Sequence, residues 1–271
     1  MGIDALKLAC FSPTGTTRSI AQAIGRGMGI AATETVDLTA PEARNHPLST
    51  SSHELLVVAV PVYVGRVPEL LLPWLHGLRA SGTPVVCVVV YGNRAYEDAL
   101  CELKDILESR GCLPIACAAY IGEHAFSSAE APIAAGRPDA DDVAHAEQFG
   151  RALRERLPAL SPGDRLSGMV PDIKVPGQVP QTPADPLFSV DFISVGPECA
   201  ECGTCAAQCP VAAVDMAMGP LPDKNVCVLC CACIKHCPEN ARTMAEGQVK
   251  DIALRLSEGC AGRHEPVLFF A

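Results

Sequence analysis

Short apolar segments alternate with amphipathic segments over residues 5–157. The apolar segments are too uniformly hydrophobic for strands with a solvated face, which is typical of buried strands in a parallel sheet. The segments between them are long enough for crossover helices, so the pattern predicts βα units in a doubly wound α/β fold with five parallel strands. The predicted strands are 5–11, 33–38, 55–60, 84–90 and 113–121, and the predicted helices are 16–28, 68–80, 96–110 and 139–157.

The pattern changes after residue 157. Residues 158–187 are rich in proline, which interrupts helix and sheet and favours an extended, stiff linker that drapes across one domain. The chain is therefore predicted to divide into a first domain (1–157), a linker (158–187) and a smaller second domain (188–271). Within the second domain, one apolar face of the segment 248–259 predicts a helix that packs back on the protein. That face consists of Val249, Ile252, Ala253 and Leu256.

Eight of the 15 cysteines form two copies of the motif CxxCxxCxxxCP, 28 residues apart. In two-cluster proteins, three cysteines at this spacing bind one 4Fe–4S cluster and the fourth binds the other cluster. Zinc sites rarely need three cysteines at successive CxxC spacings followed by a fourth cysteine and a proline. The motif therefore predicts two interleaved 4Fe–4S clusters. One is assigned to Cys199, Cys202, Cys205 and Cys237, and the other to Cys227, Cys230, Cys233 and Cys209.

These motifs resemble bacterial-type ferredoxins with two 4Fe–4S clusters, and the resemblance implies a small α+β ferredoxin-like fold for residues 188–271. Cys231 is an additional cysteine inside the second motif, where no ligand is needed. We interpret it as a small packed hydrophobic residue. Cys260 follows the predicted C-terminal helix, and the sequence gives it no role.

The segment after the first strand is rich in hydroxyl groups at the start of a helix. Such a helix N-terminus suits a phosphate, although a Ser/Thr-rich segment is also a common helix cap. The residues are Ser12, Thr14, Gly15, Thr16 and Thr17. In a doubly wound sheet, the loops after the third and fourth strands meet this segment at the switch point. Three of the four tyrosines, Tyr63, Tyr91 and Tyr96, lie in those loops, which favours a flat conjugated ring as the ligand.

These segments resemble flavodoxins, and PVYVGRVPE together with YGNRAYEDA resembles the EFR1 family, ferredoxins with an N-terminal flavodoxin-like domain. The resemblance implies FMN, with its phosphate on the hydroxyl-rich loop. The residues implied around the flavin ring are Pro61, Val62, Tyr63, Val64, Gly65, Arg66, Gly92, Asn93, Arg94 and Tyr96. We hypothesise that Arg66 or Arg94 stabilises the reduced, anionic flavin. His124 is either a proton donor or a surface residue, and residues 122–142 form either a lid or the seat of the second domain.

The net charge of −10 argues against a nucleic-acid partner and favours a redox partner protein with a basic docking surface. The N-terminus lacks signal-peptide features and no apolar run is long enough to span a bilayer, so we expect a cytoplasmic protein. The predicted function is electron transfer between the clusters and FMN. The alternatives are an FMN-dependent reductase of a small molecule, fed by the clusters, and a redox sensor without flavin. No GxGxxG motif follows a strand, so direct use of NAD(P)H is not supported.

Overall fold

The computed structural model describes residues 3–157, 172–182 and 189–271. Its main sheet has six strands in the order β10-β7-β6-β4-β1-β2, of which all except β10 (Val267–Phe270) run parallel. Counted along the chain, the five parallel strands have the order 2-1-3-4-5, the flavodoxin-like doubly wound arrangement. The predicted fold of the N-terminal region is therefore confirmed. The parallel strands are β1 (Ala5–Cys10), β2 (Thr33–Asp37), β4 (Glu54–Pro61), β6 (Thr83–Tyr91) and β7 (Cys112–Ile121).

Helices cover both faces of this sheet, and an apolar core lies under each face. Helices α1 and α4 cover one face, where Ile20 and Phe149 are buried, and α2 and α3 cover the other, where Trp74 and Leu103 are buried. All nine residues of β6 are buried, as its continuous apolar sequence predicts. The helices are α1 (Thr16–Met28), α2 (Leu72–Gly77), α3 (Ala99–Ser109) and α4 (Ala140–Arg156). No helix in the described ranges is long and apolar enough to cross a membrane.

The predicted helix 68–80 is wrong in extent. The chain forms a 3-10 turn at Glu69–Leu71 and then the short helix α2, in which proline occupies one of the first two positions. Proline fits the first turn of a helix but not its interior, so one helix cannot continue through Pro73 from residue 68. After α2 the chain forms β5 (Arg79–Ser81), which pairs with β3 (Ser49–Ser51) in a separate two-stranded sheet.

Part of the predicted linker, residues 172–182, lies against the N-terminal domain. Ile173 is buried in the core on the α3 side, and Asp172 accepts a 2.9 Å hydrogen bond from Lys104 Nζ on α3. The Gln178 amide donates to Asp98 Oδ1 at 2.9 Å. The prediction that the linker drapes across one domain is confirmed for these residues, whereas 158–171 and 183–188 lie outside the described residues.

The cysteine motifs lie in a module in which the duplication extends to the backbone. Helices α5 (Thr204–Ala207) and α6 (Ala232–Lys235) begin 28 residues apart, as do the motifs. Positive φ angles recur at the same spacing, in the pairs Glu201/Leu229, Gly203/Cys231 and Ala212/Asn240. Strands β8 (Ile193–Val195) and β9 (Arg242–Met244) pair antiparallel, and α7 (Gln248–Gly259) follows with the bounds predicted from its apolar face.

After α7 the chain returns to the main sheet, which the sequence analysis did not foresee. Strand β10 (Val267–Phe270) pairs antiparallel with β7, with Val267 opposite Ala119. Phe270 makes an edge contact with Phe149 of α4, at 5.5 Å between ring centroids, and the Arg156 guanidinium lies 3.8 Å from the Phe270 centroid. The predicted second domain, 188–271, therefore contributes a strand to the first.

Candidate functional site

The hydroxyl-rich loop enters α1 at the carboxyl end of β1, beside the topological switch point of the sheet. Gly15, at the N-terminus of α1, has φ 90°, and Ser12 Oγ accepts a 3.0 Å hydrogen bond from the Arg18 amide, which ties the loop to the first turn of the helix. Thr17 is 1% exposed, and its hydroxyl has no hydrogen-bond partner among the described residues. A buried hydroxyl usually has a hydrogen-bond partner, so a ligand that forms a hydrogen bond with Thr17 would supply the missing partner.

The loop after β4 forms a two-residue hairpin turn. The amides and carbonyls of Tyr63 and Arg66 bond reciprocally at 2.9 and 3.0 Å, and the central residues Val64 and Gly65 have φ angles of 51° and 74°. Positive φ at both central positions is the geometry of a type I′ turn. A Cβ atom on Gly65 would lie 1.8 Å from Glu97 Oε2 and 3.0 Å from Glu97 Cβ, so a larger residue would have to adopt a positive φ angle and would also require Glu97 to move.

A cavity of about 350 Å³ lies where these loops meet. Its volume is within the range of sites for small molecules and cofactors. Ten of the residues predicted for FMN line it. They are Thr14, Thr16, Thr17, Pro61, Val62, Tyr63, Val64, Gly65, Gly92 and Arg94.

Arg66 is not among the residues that line the cavity. Its guanidinium forms an ion pair with Glu102 at 2.7 Å, and the Val67 amide donates to the same carboxylate at 2.9 Å. Arg94 does line the cavity, and it pairs with Glu97 at 2.7 Å on the exposed surface. Of the two arginines hypothesised to stabilise a reduced flavin, the structure therefore brings only Arg94 to the cavity.

Asn93 also lies outside the cavity lining, and it holds the segment between α7 and β10. Its Nδ2 donates to the carbonyls of Cys260 and Gly262, both at 2.7 Å, while its Oδ1 accepts from the His264 amide. Asn93 has φ 63°, a left-handed conformation that asparagine tolerates better than most residues. The remaining predicted residues outside the lining are Ser12, Gly15 and Tyr96.

His124 lines the cavity, as its interpretation as a proton donor requires. Its Nδ1 accepts a 3.0 Å hydrogen bond from the Phe126 amide, so the neutral ring carries its proton on Nε2. Burial lowers the pKa of His124 to about 4, and the positive charges of Arg94 and Lys235 act in the same direction. At neutral pH the side chain is therefore an uncharged hydrogen-bond donor.

The cysteine module forms another wall of the same cavity, which the sequence analysis did not predict. Val228, Leu229 and Cys230 of the second motif line it, together with Ile252 and Leu256 of α7. The periodicity of α7 had identified Ile252 and Leu256 as part of a packing face but not the surface that they meet.

Tyr63 lines the cavity close to the cysteine module. Burial raises its pKa well above the usual value, and the nearby thiols of Cys230, Cys231 and Cys227 act in the same direction. Tyr63 therefore lies within electrostatic range of the cysteine module.

The first set of predicted cluster ligands lines a second, smaller cavity. Cys199, Cys202, Cys205 and Cys237 all line it, although Cys237 belongs to the other motif in sequence. Among the described residues, no three His, Cys, Asp or Glu side chains are arranged to hold one metal ion. A 4Fe–4S cluster binds each thiolate through a different iron atom, so its cysteines surround a volume instead of converging on one point.

The second set lies deeper in the protein. Burial raises the pKa of Cys230 to about 12 and that of Cys227 to about 11, and in both cases the neighbouring thiols of Cys209 and Cys233 act in the same direction. The Ala213 amide donates to Cys209 Sγ at 3.2 Å. Buried thiols of this kind ionise only when a metal or another positive charge stabilises the thiolate.

The cysteine module sits on the segment 122–142. Lys235 pairs with Glu123 at 2.5 Å and donates to the Ser127 carbonyl at 2.8 Å, and Lys250 pairs with Glu130 at 2.8 Å. The module also contacts the hydroxyl-rich loop, where His236 Nε2 lies 2.8 Å from the Pro13 carbonyl oxygen. These contacts confirm that 122–142 is a seat for the module.

No protein-family model and no curated protein matches the chain. Its similarity to solved structures covers a little more than half of it. One is a flavodoxin from the domain Archaea, at 12% identity over 57% of this chain and 99% of that one, with a TM-score of 0.38. Another is the Fusobacterium nucleatum flavodoxin bound to flavin mononucleotide, at 15% identity over 56% and 97%, with a TM-score of 0.37. A third is the rubredoxin oxygen:oxidoreductase from Desulfovibrio gigas, at 12% identity over 58% and 37%, with a TM-score of 0.42.

Proposed function

We propose that this protein transfers electrons between two 4Fe–4S clusters and FMN. One observation carries the proposal: a single cavity is lined by the hydroxyl-rich loop, by Tyr63 and by Cys230, a predicted cluster ligand. A cofactor in this cavity would lie directly against a cysteine of the second motif. Such proximity is needed for direct electron transfer and has no evident purpose in a flavin domain that acts alone.

FMN fits the cavity on three grounds. The N-terminus of α1 favours a phosphate, and the unpartnered Thr17 hydroxyl can bond to one of its oxygens. Tyr63 and Tyr91 supply aromatic surface for a flat ring. The neutral His124 can donate a hydrogen bond into the cavity from Nε2. FMN exchanges one or two electrons and a 4Fe–4S cluster exchanges one, so the pair joins two-electron to one-electron chemistry.

The clusters would be held by the interleaved sets, Cys199, Cys202, Cys205 and Cys237 for the first cluster and Cys227, Cys230, Cys233 and Cys209 for the second. The joint position of the first set around one small cavity favours this assignment over one cluster per motif. The second set lies deeper and includes Cys230, so the second cluster would be the one next to FMN.

This electron-transfer function, called the relay below, is favoured over a reductase of a small molecule because the cysteine module occupies one wall of the proposed flavin cavity. The partner would be a redox protein with a basic docking surface. Cys202 is exposed, and the exposed carboxylates Glu198, Glu201 and Glu239 surround the first cysteine set. An acidic rim of this kind attracts a basic partner and accelerates its association.

The test is anaerobic purification of the full chain, with iron, acid-labile sulfide and FMN quantified together. Two 4Fe–4S clusters require eight iron and eight sulfide per chain, and the proposal adds one FMN. Rapid mixing with a small excess of dithionite should then bleach the cluster absorbance and the flavin absorbance in kinetically linked phases. Protein that binds zinc in place of iron, or that binds no FMN when it is supplied, would contradict the proposal.

A further inference from the structure

Arg242, the first residue of β9, is a buried cation without a matching anion. It is 3% exposed, and its Nη1 donates to the Pro220 carbonyl at 2.6 Å. Its Nε and Nη2 have no hydrogen-bond partner, and no carboxylate pairs with it, among the residues that the structure describes. An unpaired buried charge is strongly destabilising, so the protein needs a negative group beside this guanidinium.

The groups that surround Arg242 are cysteines. The residue lines the small cavity formed by Cys199, Cys202, Cys205 and Cys237. Its guanidinium also lies close enough to Cys233 and Cys227 of the second set to oppose the rise in pKa that burial causes in both thiols. As free thiols these residues carry no charge, whereas a cluster with four thiolate ligands is an anion. The predicted anionic clusters would therefore supply the counter-charge that Arg242 lacks.

The internal duplication shows that the motif does not require a charge at this position. The residue 28 positions before Arg242 is Val214, which is 5% exposed and neutral. Both follow a buried alanine, Ala213 or Ala241, in the same register. The two copies thus differ by a full positive charge at equivalent buried positions, and this difference makes the electrostatic surroundings of the two clusters unequal.

We propose that Arg242 raises the reduction potential of the clusters whose cysteines surround it, an inference that rests on the proposed function. Reduction adds one electron, from the redox partner or from dithionite, and no proton, so it makes the cluster more negative by one charge. A fixed guanidinium stabilises that state. Arg242 is not a ligand, and its charge acts on the clusters from outside the ligand sets.

The test compares the full-length anaerobic protein with Arg242→Gln and Arg242→Lys. Arg26→Gln serves as the control, because Arg26 lies on α1 and pairs with Glu147 on α4, away from the cysteines. Redox titration followed by electron paramagnetic resonance gives the potential of each cluster. Arg242→Gln should make reduction of at least one cluster about tenfold less favourable, a shift of 59 mV to more negative potential for one electron. Arg242→Lys should retain at least half of the effect, and Arg26→Gln should change neither potential.

The outcomes separate this inference from the proposed function. Eight iron in Arg242→Gln with both potentials unchanged would overturn the role of Arg242 and leave the relay intact, whereas wild-type protein without clusters would overturn the relay itself. If Arg242→Gln fails to assemble the clusters, Arg242→Lys tests whether the positive charge is the required property. Arg242→Lys protein with clusters at wild-type potentials would support the role of the charge. Failure of both variants to assemble clusters would show that the charge alone is not the required property.

Discussion

The two cysteine motifs share their spacing, their helices and their positive φ angles, yet they face different surroundings. Between its first two cysteines the first motif has Ala200 and Glu201, which are both exposed, whereas the second has Val228 and Leu229, which line the large cavity. The cysteine spacing is therefore the same in both motifs. The residues between the cysteines determine which copy faces the large cavity and which faces solvent.

The largest effect that tests this comparison is the loss of one cluster. Cys209→Ala should abolish the inner cluster, bound mainly by the second motif, and Cys237→Ala should abolish the outer one, because each fourth cysteine serves the opposite cluster. Iron should fall by about half in both variants. Hyperfine-shifted cysteine β-proton resonances in paramagnetic NMR identify the ligands that remain. If Cys209→Ala removes the signals of Cys199, Cys202 and Cys205, the interleaved assignment is wrong.

The next effect comes from exchanging the residues that distinguish the two motifs. Leu229→Glu places a charge in the buried wall of the cavity and should destabilise the protein by about 3 to 5 kcal/mol, with loss of FMN. The matched change Glu201→Leu, at an exposed site 28 positions earlier, should alter stability by less than about 0.5 kcal/mol. Thermal unfolding and FMN content measure both. Equal sensitivity of the two variants would refute the assignment of an inner and an outer copy.

His124 lies in the segment 122–142, on which the cysteine module sits, and it should make the stability of the protein depend on pH. Its folded pKa of about 4 lies below the usual 6.5, so the unfolded chain binds more protons between these values. Stability is therefore highest above pH 6.5 and falls as the pH drops through this window, by about 2 kcal/mol between pH 7 and pH 5. His124→Asn cannot titrate and should remove this component from denaturation curves recorded at both pH values. An unchanged pH dependence would show that His124 is not the group responsible.

The opposite wall of the cavity is tested at Thr17. Thr17→Val removes the unpartnered hydroxyl but keeps the shape of the side chain, so FMN affinity should fall about tenfold while riboflavin affinity is unchanged. The apoprotein should not lose stability, because no hydrogen bond is broken. Fluorescence titration with both flavins measures the affinities, and Thr17→Ser is the control that keeps a hydroxyl. Equal losses for FMN and riboflavin would exclude a role in binding phosphate.

The smallest effect concerns the shared backbone of the two motifs. Gly203 has φ 75° with open space around it, and its counterpart Cys231 has φ 56° although it is not glycine. Gly203→Ala should cost about 1 kcal/mol from the left-handed conformation alone. Cys231→Gly relieves that strain but removes a buried side chain, so its net effect should be smaller. Thermal unfolding of the two variants compares these costs, and a neutral Gly203→Ala would show that the outer copy relaxes to another conformation.

The sequence predicts best what neighbouring residues determine. The bounds of α1 and α7 agree with their hydrophobic periodicity, and the five parallel strands lie within one residue of their predicted limits at either end. Strand β10 was missed because its partner β7 is distant in sequence and its four residues carry no distinctive local pattern.

The site itself is only partly predictable. The hydroxyl-rich loop and the loop after β4 were identified from their composition and their position after predicted strands, whereas the hairpin turn in the second loop was not. Arg66 was assigned to the flavin although its side chain pairs with Glu102, because composition does not give the direction of a side chain at a tight turn. The third wall of the cavity depends on how the module docks, through ion pairs such as that of Lys235 with Glu123. No local sequence pattern indicates such a contact between distant segments.

The return of the chain to the main sheet also affects how the molecule is made on the ribosome. Val267 pairs with Ala119, which is synthesised 148 positions earlier. At ordinary translation speeds this interval lasts roughly 7 to 30 seconds. During that time the outer edge of β7 has exposed backbone donors and acceptors, a surface that promotes aggregation. The nascent flavodoxin-like domain therefore stays incomplete while both cysteine motifs emerge, and the last strand closes the sheet only after the whole cysteine module has been synthesised.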